Sequence, residues 1–139
     1  MADVAGILVR FMTQVWNAGD VEAVDAFLAD RYTIHDDPGD PWEGRTLSRE
    51  EFKERLVTSR APFPDLHFEI SDVVPHGDRV AIGWTMRGTQ SGPLGDQPPS
   101  GRTIAARGMT IYYFDGDRIS GHRQVVDRLT VARQLGMLG

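Results

Sequence analysis

Leu66-His-Phe-Glu-Ile-Ser-Asp-Val-Val74 decides the fold class of this chain. Here apolar residues begin to alternate with polar ones, whereas upstream they recur at helical spacing. Three more segments share the strand character: Arg79 to Thr89, Arg102 to Phe114 and Arg118 to Val126. They are separated by Pro75-His-Gly-Asp78, the Gly/Pro-rich segment 91–101 and Asp115-Gly-Asp117, connections that suit antiparallel neighbours rather than helical crossovers.

Upstream, Ile7, Leu8, Phe11, Met12 and Val15 mark one apolar face of a first helix between Val4 and Trp16. Asn17-Ala-Gly-Asp20 interrupts it, and Asp20 is placed to cap a second helix through Val21, Val24, Phe27 and Leu28. Tyr32-Thr-Ile-His-Asp-Asp-Pro38 holds a short extended piece before a loop rich in Gly, Pro and Asp. Ser48-Arg-Glu-Glu51 has the form of a capping box, and Phe52, Leu56 and Val57 follow it on a third helix. Asp127, before Arg128 to Leu135 and the stop at Gly136, opens a closing helix. Helices first and strands afterwards indicate one α+β domain over residues 1–139, a curved antiparallel sheet folded over its N-terminal helices around a pocket.

The 139 residues suffice for one core. A net charge of -5, with both signs mixed along the chain, argues against nucleic acid or an anionic membrane as partner. Without cysteine there are no disulfides, thiolate metal sites or cysteine nucleophiles. No cationic leader precedes the apolar residues of the N-terminus, and no stretch approaches the roughly 18 apolar residues of a membrane span, so a soluble cytoplasmic protein is expected.

Phe63-Pro-Asp-Leu-His-Phe-Glu-Ile70, Arg79 to Thr89, Gly95-Asp-Gln-Pro-Pro-Ser-Gly-Arg102, Gly108-Met-Thr-Ile-Tyr-Tyr-Phe-Asp-Gly116 and the final Val-Val-Asp127-Arg-Leu with Gln134-Leu-Gly136 resemble, in order, the SnoaL-like polyketide cyclase family. The resemblance spans the first helix to Gly136. It implies a cone-shaped barrel of the nuclear-transport-factor-2-like type, commonly a homodimer, with a cavity between sheet and helices. It also implies cofactor-independent chemistry without metal: an aldol-type ring closure on a hydrophobic, oxygenated, polyketide-like molecule, with an aspartate near the C-terminus as acid/base. Asp127 is the position matching that aspartate. Two departures stand out. Gly88-Thr-Gln90 replaces a frequent Gly-Thr-His, and His122-Arg123 replaces a frequent His-Trp before the aspartate.

Two roles stand open for Asp127: a base in a dry pocket, or the cap of the closing helix, where bonds from helix N–H groups would make it a weaker base. With clean alternation Arg123, Val125 and Asp127 share one strand face, and Ala105, Arg107, Met109, Ile111 and Tyr113 share another. Arg107 and Arg123 are therefore candidates to bind a carboxylate or phenolate oxygen, or else they pair with Asp127 or face solvent. A one-residue error in face would reverse the assignment. His35, between the short extended piece and the loop, is a candidate to orient substrate or relay a proton. Tyr32, Tyr113 and Trp42 belong to the aromatic set that would grip a planar ligand, Trp42 as a lid over the pocket mouth. Val80, Ile82, Trp84 and Met86 form a core stripe. His67, His76 and His122 lack a partner motif, and adjacent Asp36 and Asp37 point in different directions if extended.

Three functions compete: a cyclase or related carbon-acid catalyst, a non-catalytic small-molecule binding protein on the same fold, and an epoxide hydrolase. The last is disfavoured, because Arg107-Gly-Met109 has methionine where limonene-epoxide-hydrolase-like proteins carry their first aspartate. No Gly-x-Gly-x-x-Gly follows a strand to suggest a dinucleotide.

Overall fold

The computed structural model describes residues 3–138. Helix α1, Val4–Phe11, starts where the Asp3 carboxylate accepts from the Gly6 N–H, and continues as a wider π segment, Met12–Asn17. This helical stretch buries Leu8, Phe11, Met12, Val15 and Trp16. Asp20 does cap the next turn, a 3-10 segment Val21–Ala23 that runs into α2, Val24–Phe27. That helix is shorter than the pattern indicates. Leu28 already opens strand β1, Leu28–Asp36, from which Leu28, Tyr32 and Ile34 reach the core on one side of an extended backbone. Burial of alternate side chains in the sheet outweighs the local helical spacing here.

Strand β2, Thr46–Leu47, is followed by α3, Arg49–Arg60, whose capping box is complete: Glu51 N donates to Ser48 Oγ at 3.2 Å and Ser48 N to Glu51 Oε1 at 3.0 Å. The strand-rich half holds β3 (His67–His76), β4 (Arg79–Thr89), β5 (Thr103–Asp115) and β6 (Arg118–Val126), and closes with α4, Arg128–Gln134.

The fold is α+β, with a curved six-stranded open sheet in the order β2-β1-β6-β5-β4-β3. Its pairings are antiparallel except at one seam, where β1 and β6 run parallel, Ile34 opposite His122. The four strands read from the sequence as antiparallel neighbours, β3 to β6, pair that way, and the parallel seam belongs to β1. No tight turn sets the direction of β1 against β6, since the long crossover between them contains α3 and four other strands. Val80, Ile82 and Trp84 form the expected buried stripe, with Met86 partly buried behind it. On β5 the inward residues are Ile104, Ala106, Thr110, Tyr112 and Phe114, so the alternate set with Arg107, Met109 and Ile111 faces outward. Among the described residues no helix is long and apolar enough to cross a membrane.

Candidate active site

A cavity of about 410 Å³ lies between the sheet and helices α3 and α4. Trp16, Phe63, Leu66, Phe68, Trp84 and Met86 make its apolar side, and Asp40, Arg55, Gln124 and Arg128 its polar end. Trp84 is held by two features of β5. Its indole N–H donates to Thr110 Oγ1 at 2.9 Å, and its six-membered ring covers Gly108, where a Cβ would overlap the ring. Trp42, from the loop before β2, lies in the cavity wall.

Behind the polar end runs a chain of buried groups. Tyr32 Oη and His122 Nδ1 are 2.5 Å apart, and His122 Nε2 is 2.9 Å from Asp37 Oδ2. Burial is the largest influence on His122 and pushes its pKa below the ordinary value, against the opposing pull of Asp37. Burial also pushes the Tyr32 phenol well above its ordinary range. A neutral imidazole between a phenol and a carboxylate has one consistent proton arrangement: Tyr32 donates to Nδ1, and Nε2–H donates to Asp37.

Asp37 is fully buried and gathers further donors. Gln124 Nε2 lies 3.1 Å and an Arg55 guanidinium nitrogen 3.4 Å from Oδ2. Its other oxygen, Oδ1, has no hydrogen-bonding partner among the described residues, although an Arg128 nitrogen stands 3.5 Å away, close enough for charge attraction. Arg55 also donates to Asp40 Oδ2 at 2.9 Å and lies 5.6 Å from the Trp16 ring centroid, while its Nε has no partner among the described residues. The polar end therefore joins two carboxylates to one buried and one half-exposed arginine.

The structure places most of the residues singled out in the sequence outside the cavity. Tyr32 lies within the buried chain behind the cavity rather than in its wall. Asp127, Arg123 and Arg107 are exposed on the outer side of the sheet, which corrects the placement of both arginines beside a ligand. Asp127 caps α4, accepting from Thr130 N at 3.1 Å and from Thr130 Oγ1 at 2.6 Å, and these bonds hold its carboxyl below the ordinary range. The charges acting on it come from Arg133 and Arg107, not from Arg123. Arg123 pairs with Asp36 and donates to Tyr113 Oη at 2.9 Å. His35 is exposed, with its ring edge-on to Tyr113 at 5.0 Å, and Arg79 covers the same tyrosine at 4.7 Å. His35 and Tyr113 thus belong to an outer cluster away from the cavity. The face was the source of the misplacement: β6 turns His122, Gln124 and Val126 inward, so its other residues point out.

Asp37, Asp40, Arg55, Gln124 and Arg128 did not stand out in the sequence. The divergence of Asp36 and Asp37 was a signal for one of them: Asp36 turns out to meet Arg123, and Asp37 turns in to meet His122. Among the described residues no three His, Asp or Glu side chains converge as a metal site.

The family model of the SnoaL-like polyketide cyclases matches residues 6–135. A candidate polyketide cyclase of Acidithiobacillus ferrooxidans is 42% identical, with a TM-score of 0.92 over 100% of this chain and 99% of that one. IdmH of Streptomyces antibioticus, also a candidate polyketide cyclase, is 26% identical with a TM-score of 0.80 over 96% and 99%. TsrD of Streptomyces laurentii, 24% identical with a TM-score of 0.82 over 99% of each chain, shares the fold. No curated protein matches the chain.

Proposed function

Because the chain belongs to the SnoaL-like polyketide cyclase family, we propose that it is a cyclase-type enzyme acting without a cofactor on a hydrophobic, oxygenated small molecule. The observation that carries this reading is the mainly apolar cavity with one polar end, where Asp40 and Gln124 reach the wall and Asp37 with His122 backs them. Ring closure of the aldol type needs a group that removes a proton next to a carbonyl, and that group must reach the ligand. Asp40 lines the cavity and Asp127 does not, so the acid/base role belongs to Asp40 in this reading. Its oxygens accept from Trp42 N and from Arg55, and each keeps a further lone pair. The functional unit is a homodimer joined through the outer face of the sheet, where Met109, Ile111 and Val125 are exposed.

The test is deuterium exchange at the carbon next to the carbonyl of 2-tetralone, followed by NMR in D₂O. The protein should speed exchange above buffer. Asp40→Asn should lower that rate about 10²-fold or more, and Asp127→Asn should leave it unchanged. One feature favours a second reading, a binding protein on the same fold: each carboxylate at the polar end already has a cationic or imidazole partner. Tight binding of the ketone with exchange no faster than buffer would establish that reading instead.

A further inference from the structure

The orientation of the Gln124 amide follows from two groups whose hydrogen-bonding roles cannot change. An indole nitrogen only donates, so Thr110 Oγ1, 2.9 Å from Trp84 Nε1, accepts there and spends its own hydrogen on Gln124 Oε1 at 2.7 Å. At the other end of the amide, Gln124 Nε2 lies 3.1 Å from Asp37 Oδ2, and an ionised carboxylate only accepts. Both ends give the same answer. The oxygen of Gln124 points toward β5, and its nitrogen points toward Asp37.

An amide nitrogen carries two hydrogens, and Asp37 takes one. Among the described residues the other has no acceptor, and the side chain that carries it lines the cavity. Of its neighbours at this end, Arg55 is shared between Asp37 and Asp40 with its remaining Nε buried, and Arg128 donates through Nε to Pro38 O. We propose that Gln124 is a ligand-binding residue whose free N–H donates to an uncharged carbonyl oxygen, so that the ligand enters with a ketone or ester carbonyl at the Gln124 end. The Trp84–Thr110 chain fixes the donor before the ligand arrives, so little reorganisation is lost on binding. A carboxylate is disfavoured at the same point, because the nitrogen that would bind it already holds the Asp37 carboxylate, and the two arginines of this end, Arg55 and Arg128, are balanced by Asp37 and Asp40. A donor on a carbonyl also draws electrons from it, which eases proton loss at the adjacent carbon. The inference rests on the reading of this cavity as a ligand site and adds which ligand group it takes.

The test uses 1-tetralone labelled with ¹³C at its carbonyl, naphthalene as the hydrocarbon of similar shape, and 1-naphthoate as the anion. Infrared spectra of the bound ketone should show its carbonyl stretch at lower wavenumber than in dry hydrocarbon solvent. Gln124→Leu should restore the higher wavenumber and weaken tetralone about tenfold while leaving naphthalene unchanged, and naphthoate should bind the native protein more weakly than tetralone. The infrared measurement on the native protein stands even if the variant folds poorly. If both neutral compounds bind but the stretch is unshifted, or the shift survives in Gln124→Leu, the role of Gln124 is overturned and the cavity remains a ligand site. Tighter binding of naphthoate overturns the preference for an uncharged group. If none of the three compounds binds, the cavity reading and this inference fall together.

Discussion

His122 Nε2 lies 2.9 Å from Asp37 Oδ2, a contact between two buried side chains 85 residues apart in sequence. It ties the end of β1 to the middle of β6 across the parallel seam. Tyr32, Arg55 and Asp40 surround the imidazole, and burial dominates its response to pH. A histidine whose folded pKa is depressed binds protons more readily when unfolded, so stability is full above the unfolded value and falls as pH drops below it. Urea midpoints should therefore decline from about pH 6.5 downward, before the carboxylates contribute. His122→Gln should flatten that part of the profile. An equal slope in both proteins would mean that another group carries the dependence.

Arg55 is the buried cation that two carboxylates share. Its replacement by methionine keeps much of the apolar contact with Trp16 and Phe52 but leaves Asp37 and Asp40 without that charge. Arg55→Met should cost about 3–5 kcal/mol in urea unfolding, a large fraction of the stability of a domain this size. Adding Asp40→Asn to that variant should recover part of the loss, because one unpaired carboxylate is removed.

Asp127 acts on stability through the start of α4. Asp127→Ala should lower Tm by about 3–5 °C, and Asp127→Asn by much less, since asparagine caps nearly as well. Thr130 holds the carboxyl below its ordinary range, so this contribution is present above the ordinary carboxylate pKa and disappears as pH falls through the folded value. Neither variant should change affinity for a ligand in the cavity; a loss there would return Asp127 to the site.

The outer face of β5 and β6 exposes Met109 and Val125, each 69% accessible, beside Ile111. Such side chains on the middle strands of a sheet are expected to meet a second copy. Sedimentation should give a dimer at micromolar concentration. Val125→Glu should weaken it about hundredfold with unchanged circular dichroism, because the charge enters a two-fold interface twice. A native monomer would refute this interface.

Local chemistry alone was enough to place three helix starts and the strands from Leu66 onward, but not the start of β1 at Leu28 or the short β2. Asp20, Ser48 with Glu51, and Asp127 cap because their side chains reach N–H groups three residues away, an interaction that needs no distant partner. The strands from Leu66 onward show as alternation, and so do the sets Arg107, Met109, Ile111 and Arg123, Val125, Asp127. What alternation cannot say is which set is inside, because a period of two is unchanged when the faces are exchanged and both faces of β6 carry polar side chains. Only packing against the helices decided that His122 and Gln124 face inward, Gln124 in the cavity wall and His122 behind it. Tyr32, Asp37, Arg55 and His122 come from two strands, a loop and a helix, and no spacing in the chain records that they meet. They are polar groups removed from water together, and each is stabilised there by partners that tertiary structure alone supplies.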